Sequence, residues 1–255
     1  MSSHTIKRWA LPLLLLAAML GAWQIAADSG AIASALHIES FLIPSPSEIA
    51  ESLWQSRSLL AENAWVTLKE VLVGFGFALV AGFGFAVAMH LSETLRLAFR
   101  PLIVASQTIP IPVIAPILVV WFGFGIGPTL VIIGLVCFFP ITINTLDGLG
   151  SVDPEATKMM RSLDASRRQI FWRVEAPSSL PYAFSGAKIA VAVAVIGAVL
   201  GELAAPGSGL GSLIFFDMNQ LETARAFAAV AVLSAMAIAL FAILALAERR
   251  VVTWR

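Results

Sequence analysis

Charge is scarce in this sequence. Only 13% of its 255 residues are Asp, Glu, Lys or Arg, against 59% hydrophobic. A water-soluble fold must keep a polar surface, so a chain of this composition cannot bury its excess in one core; a bilayer solvates that excess directly. Cysteine is nearly absent. Cys137 stands alone, which excludes an intrachain disulfide and any Cys-based metal site. It lies in the apolar run 130–139 and reads as an inert buried thiol. The three histidines, His4, His37 and His90, are scattered without metal-ligand spacing, which argues against a metalloenzyme. Net charge is zero, so there is no basic field for nucleic acid. There is also no Gly-x-x-x-x-Gly-Lys-Ser/Thr phosphate loop, so the chain does not itself hydrolyse ATP.

What the sequence does have is long apolar stretches. Six of them, about 9–27, 70–89, 101–121, 128–146, 182–204 and 226–247, have the roughly 18–22 residues a helix needs to cross about 30 Å of hydrocarbon. The expected fold is an all-α membrane protein with six transmembrane helices, in a single transmembrane domain over residues 1–255. The first stretch follows His4, Lys7 and Arg8, as the core of a cleaved leader would. It continues past Leu20 to Ala27, too far for a usual leader. Trp9 and Trp23 bracket it at the depths of the aromatic belts. With the N-terminus inside, only Arg57, Lys69 and Arg225 of the sixteen Lys and Arg fall outside, leaving thirteen on the cytoplasmic side. That is an N-in, C-in topology by the positive-inside rule, and five or seven spans would scramble it.

Several segments carry more detail. Ser45-Pro46-Ser47-Glu48 reads as a helix start, and residues 45–65 are too charged to cross. They are expected as an interfacial helix on the outer face, with Ile49, Leu53 and Leu60 apolar. In the second span Gly74, Ala78, Gly82 and Ala86 form a small-residue stripe suited to close helix packing. The repeated Gly-Phe-Gly-Phe there lacks the strand–turn–helix context of a nucleotide site. The third span carries Pro101, Pro110, Pro112 and Pro116. Proline removes donors and bends helices, and irregular backbone at membrane depth lies against protein or a cavity. Two readings stand, a kinked structural helix and a helix lining a polar pathway. Gln107 and Thr108 lie beside the break and Asn144 in the fourth span, as neutral groups suited to a polar solute or to interhelical hydrogen bonds. Lys188 is expected to snorkel to the cytoplasmic interface, and Glu202 to be an interfacial or gating acid at the outer end of its span. Pro206–Gly211 interrupts the helix again, and the apolar stretch 213–216 is too short to cross.

Residues 147–181 form the longest cytoplasmic loop. Asp153-Pro154-Glu155 offers an N-cap, a proline at the first helical position and a first-turn acid. Ala156, Met159, Met160 and Leu163 repeat at i, i+3, i+4 and i+7, one apolar face on a helix whose other positions include Lys158, Arg161 and Ser162. A second helix starts at Ser166 with Gln169 as capping-box partner, and Pro177 and Pro181 are expected to close the loop. This is a helix–turn–helix protruding from the membrane. Periodicity leaves open whether its Met-rich face packs on the protein's own helices or receives a partner.

From Asp153 to Pro177 this loop resembles the EAA loop of binding-protein-dependent ABC importer permeases. That pattern runs Glu-Ala-Ala, three residues, Gly, nine residues, Ile/Val, one residue, Leu-Pro. Its places here hold Lys158, Met159, Met160, Asp164, Val174, Ala176 and Pro177; Val174 and Pro177 fit, whereas Lys158, Asp164 and Ala176 depart. A turn residue at Asp164 needs left-handed backbone, which Asp tolerates better than most residues, at about 1 kcal/mol relative to Gly. The resemblance extends along the chain. Phe41–Ser47, Trp121–Gly125, Phe138-Phe139-Pro140 and Gly209-Leu210-Gly211 are similar to the nitrate/sulfonate/taurine branch. Ala105–Pro110, Cys137–Pro140 and Asn144–Leu149 look most like permeases for thiamine-precursor pyrimidines.

The resemblance implies a type I ABC importer permease fold and a non-catalytic permease subunit of the bacterial inner membrane. It implies a dimer with a second permease copy, ATP-binding cassette ATPase subunits inside, and a periplasmic or lipid-anchored solute-binding protein outside. ATP and magnesium would belong to the ATPase, with no cofactor or metal on this chain. The implied ATPase-coupling residues are Asp153, Ala156, Lys158, Met159, Met160, Leu163 and Asp164. Gln107, Thr108 and Asn144 are the pathway candidates. The implied cargo is a small polar solute: a pyrimidine or, within the family, nitrate, a sulfonate, taurine or riboflavin. A secondary transporter or channel is the competing class. It would more often place acids or basic relays at mid-depth, and none is clear here. An intramembrane enzyme would need a Ser/His, Asp/Asp or metal constellation at matching depth, which the spacing does not offer.

Overall fold

The computed structural model describes residues 3–253, with side chains from Ala10 onward except those of Ile32 and Leu36. Lys7, Arg8 and Trp9 as side chains, and Arg255, lie outside the described residues, and so does their part of the charge and aromatic-belt expectations. Every regular element described is helical. In chain order these are α1 (Ser3–Asp28), α2 (Ala31–Leu36), α3 (Pro46–Gln55), α4 (Arg57–Leu91), α5 (Glu93–Ser106) and α6 (Ile111–Phe122). They continue with α7 (Ile126–Gly150), α8 (Pro154–Ser162), α9 (Arg167–Ile170), α10 (Ala176–Ala204), α11 (Leu210–Asn219) and α12 (Thr223–Val251).

Five helical runs are long and apolar enough to cross a membrane: Ala10–Asp28, Arg57–Leu91, Ile126–Gly150, Arg167–Ala204 and Thr223–Val251. The sixth is the pair α5 and α6, bent by 100° at their junction. Five of the six expected spans are single helical runs, the pair makes six if it counts as one broken span, and three boundaries need correction. The third span is not one kinked helix but two helices at an elbow. Pro110 is the cap of α6 in an extended conformation, and no N–H is available there to carry α5 onward. The backbone instead tightens through Gln107 N–H to Val104 O and Thr108 N–H to Ala105 O. The segment 45–65 is likewise two pieces. The expected helix start forms, with a capping box between Ser45 and Glu48, but α3 stops at Gln55 and residues 57–65 open α4.

The third correction concerns Pro177 and Pro181, which do not close the cytoplasmic loop. The chain runs through both as one 38-residue helical stretch, Arg167–Ala204. A wider π-type turn over Phe171–Glu175 precedes Pro177, with the Ala176 N–H reaching back to Phe171 O. Widening the turn shifts the carbonyls that a proline ring would otherwise strike four residues back.

The chain forms two compact units, one from the residues up to Asn63 with Leu213–Val232, the other from Ala64–Ser212 with the residues from Leu233 on. In the first, Gln24 joins α1 to α3: its Nε2 donates to Ser47 Oγ (2.9 Å) and its Oε1 accepts from Ser47 N–H (3.0 Å). Trp23 packs on Phe227, and Thr223 Oγ1 donates to Phe41 O. Leu11, Leu13, Leu14 and Leu15 are exposed, as side chains solvated by lipid would be.

The second unit is built on α4, α7 and α10. Gly74, Ala78, Gly82 and Ala86 are all buried, so the stripe expected in the second span faces protein. Its partners lie on α7, where a Cβ at Gly74 would fall 2.7 Å from Ile133. The α7–α10 seam is tighter still. A Cβ at Gly201 would meet the Thr129 backbone at 2.7 Å, and one at Gly186 would stand 2.5 Å from Pro140 O. Lipid gives helices no hydrophobic reason to associate, so such small-residue contact supplies dispersion in its place.

Candidate functional site

The cytoplasmic loop comes first, because its local chemistry is complete. Asp153 caps α8 by accepting from the Glu155 N–H (2.8 Å), and Pro154 opens the helix. At the other end Ala165 N–H donates to Met160 O and Asp164 N–H to Arg161 O, both 3.0 Å, the paired bonds of a Schellman end. Asp164 takes the left-handed conformation this requires, φ 58°. No residue of α8 is buried. Met159 is 63% exposed and Leu163 68%, with Ala156 and Met160 half-buried and Lys158 exposed. The apolar face is therefore not folded back on the unit that carries it.

Behind α8 lies a polar trio that sequence reasoning misses. Ser166 caps α9 with its reciprocal Gln169 bond, as expected. Glu175, in the wide turn, is 4% exposed. Its Oε1 accepts from Arg167 Nη1 (2.6 Å), and its Oε2 lies 2.9 Å from His90 Nε2. The trio ties the far side of the loop to the last turn of α4. The one available signal was a histidine at the end of an apolar span; the partners are 77 and 85 residues away. Lys188 Nζ donates to Glu248 Oε2 at 2.7 Å, close to the C-terminal end of α12.

The elbow between α5 and α6 opens a groove of about 500 Å³ lined by Gln107, Asn144, Phe139, Pro140, Ile189 and Val193 among others. Two of the three pathway candidates thus meet. Thr108 does not join them. It borders a separate hollow with Arg96 and Arg100, and its hydroxyl donates to Ala105 O (2.8 Å). Asn144 spends one donor on Pro140 O (2.7 Å), which leaves its amide oxygen for other partners. No Lys or Arg lines the groove.

Glu202 is not an interfacial acid. It is 2% exposed and holds the start of α11. Its Oε2 accepts from Gly211 N–H (2.5 Å), and its Oε1 accepts from Thr67 Oγ1 (2.6 Å), which in turn accepts from Leu210 N–H (2.9 Å). A carboxylate at a helix N-terminus is favoured by both the free N–H groups and the dipole. Gly209-Leu210-Gly211 is explained by the same contact: a Cβ at Gly209, where φ is 107°, would overlap the Glu202 carboxyl. No cluster of three or more His, Cys, Asp or Glu suited to a metal occurs among the described residues.

Residues 78–253 match the family model described as binding-protein-dependent transport system inner membrane component. The chain belongs to this family of ABC importer permeases. The permease is 37% identical over 218 residues to the formylaminopyrimidine transport permease protein ThiX of Halalkalibacterium halodurans, covering 85% of this chain and 87% of the relative. It is 34% identical to the riboflavin transport system permease protein RibX of Chloroflexus aurantiacus, over 84% and 81% of the two chains. The taurine transport system permease protein TauC of Escherichia coli is 29% identical, over 85% and 82%. Among solved structures, the MetNI methionine ABC transporter in inward-facing conformations superposes with a TM-score of 0.62 at 19% identity. That match covers 78% of this chain and 97% of the other. The fold is that of an ABC importer permease, the subunit is non-catalytic, and ATP hydrolysis belongs to a separate subunit.

Proposed function

We propose that this permease imports a small, neutral nitrogen heterocycle of the pyrimidine kind, handed over by a solute-binding protein on the outer side of the bacterial inner membrane. The reading is carried by the 37% identity to a relative named for formylaminopyrimidine transport. The groove at the elbow supports it, because its lining is mostly apolar with Gln107 and Asn144 as neutral polar groups and no basic residue. A planar heterocycle suits such a wall, whereas nitrate or a sulfonate would call for a cation or a helix N-terminus. Two copies of the chain, each acting as one transmembrane domain over residues 1–255, enclose the pathway between them.

The ATPase seats on α8. Met159 and Leu163 form the centre of the contact, flanked by Asp153, Ala156, Lys158, Met160 and Asp164, and the exposure of that face supports this. ATP and Mg²⁺ sit on the partner. Energy enters because the ATPase holds α8 differently in its two states, and only differential contact can shift an equilibrium.

The test of the cargo is thermal stabilisation of the cognate solute-binding protein by a panel of pyrimidines, flavins, sulfonates and nitrate. ATP-driven uptake of the stabilising compound into proteoliposomes completes it. Stabilisation and uptake of a pyrimidine support the reading. A response confined to nitrate or sulfonates refutes it, and one confined to flavins moves the assignment to the riboflavin relative's solute.

A further inference from the structure

Two acids share one buried corner of the second unit, and no basic side chain among the described residues is paired with either. Glu202 is 2% exposed and Glu70 6%, and the two carboxyl groups are hydrogen-bond neighbours. Glu202 is fully committed to Thr67 and to the Gly211 and Ser212 N–H groups of α11. A helix N-terminus offsets roughly half a unit charge, so two carboxyls this close need a further positive charge between them, either a proton or a cation. None of the ion pairs among the described residues uses either carboxyl. Lys69, the adjacent cation in sequence, is exposed and lies over the Trp65 ring, 5.3 Å from its centroid.

Glu70 also has an oxygen, Oε2, with no hydrogen-bond partner. A buried acceptor left in this state is rare and calls for an occupant. Glu70 borders a cavity of about 340 Å³ whose wall includes Thr129, Ser208, Gly125 and Gly207. The wall thus offers the Glu70 and Glu202 carboxyls, two hydroxyls and loop backbone, and no basic residue.

We propose that this cavity is a binding site for a small monovalent cation, held by Glu70 with the Thr129 and Ser208 hydroxyls as neutral donors of oxygen. The chemistry is the same for an alkali ion and for the ammonium group of an organic molecule: oxygen ligands around a carboxylate, with the cation taking the place of a proton shared by the two acids. A divalent ion fits poorly, because one of the two carboxyls is already spent on α11 and hard dications take several anionic oxygens. The site lies at the Glu202 end of α10, remote from the cytoplasmic loop in sequence, and does not depend on which solute the permease carries.

Equilibrium binding of radiolabelled rubidium and of radiolabelled methylammonium to the full-length permease in nanodiscs tests this. The bulky cation N-methyl-D-glucamine holds the ionic strength. The expected result is saturable binding of one cation per chain, weakened at least about tenfold in Glu70→Gln, since a neutral amide replaces the charged ligand. Binding of rubidium alone identifies an inorganic ion; binding of methylammonium alone identifies an amino group; either supports the site. A second measurement needs no variant: the thermal midpoint of the unaltered protein should rise with the bound cation and not with N-methyl-D-glucamine. Absence of saturable binding together with a midpoint indifferent to the cation overturns the proposal, leaving a proton as the only charge between the acids. Undiminished binding by folded Glu70→Gln overturns it equally.

Discussion

Asp164 shows how much one backbone angle constrains a residue. At φ 58° it occupies a region where a Cβ is unwelcome, and it ends α8 with both Schellman bonds in place. Asp164→Gly should stabilise this turn by up to about 1 kcal/mol, and Asp164→Val should destabilise it by at least as much. Thermal midpoints of the purified permease, rising for the first and falling for the second, check both. Gly201 is a different case, set by proximity. A side chain there meets the Thr129 backbone, which cannot swing aside. Gly201→Val should cost about 1–3 kcal/mol or more and abolish a monodisperse peak in detergent. Gly76→Val, where nothing lies within 4 Å, should leave the peak unchanged and serves as the control.

At the scale of elements, what could be read from the sequence was local. The helix start at Ser45, the capping box at Ser166, the cap at Asp153 and the small-residue stripe of α4 depend on residues two to four apart, and each forms as expected. Proline is less legible, because its local meaning has two outcomes. At Pro110 it ends a helix and sets a 100° elbow; at Pro177 a wide turn absorbs it and the helix continues. No short-range pattern distinguishes these, since the surroundings decide which carbonyls can move. The His90–Glu175–Arg167 trio was out of reach for a related reason: its members come together only where the end of α4 meets α9 and the wide turn before α10. Glu175→Ala leaves His90 without its acid at that join. Amide hydrogen exchange over residues 167–176 should rise, while exchange in the middle of α7 stays unchanged. Equal protection in the variant would mean that the trio does not hold the join.

For the whole molecule, membrane class and family were legible, and five of the six spans with them, because hydropathy and ordered motifs extend over nearly the entire chain. The candidate sites were only partly so. The face of α8 followed from periodicity, and Gln107 and Asn144 do share a groove, but Thr108 lies apart and the role of Glu202 was hidden in contacts across the fold. The importer reading makes a direct prediction at this scale. Replacing Met159 and Met160 together by Asp should abolish co-purification of the ATPase while leaving the yield of membrane-inserted permease unchanged, because neither side chain is buried in the permease. Undisturbed co-purification would remove α8 from the interface.

The unbroken stretch from Arg167 to Ala204 has a mechanical meaning. Thirty-eight residues at 1.5 Å each make a rod of roughly 57 Å, nearly twice the hydrocarbon thickness of about 30 Å. Such a rod cannot hide in lipid, and its Arg167 end is joined to α8 by only the four residues 163–166. Pivoting near its middle, a tilt of about 10° would sweep each end through about 5 Å. A push of that size delivered to the cytoplasmic tip would therefore reach the far side of the membrane in the opposite sense, as on a see-saw, without any bond in the rod having to break.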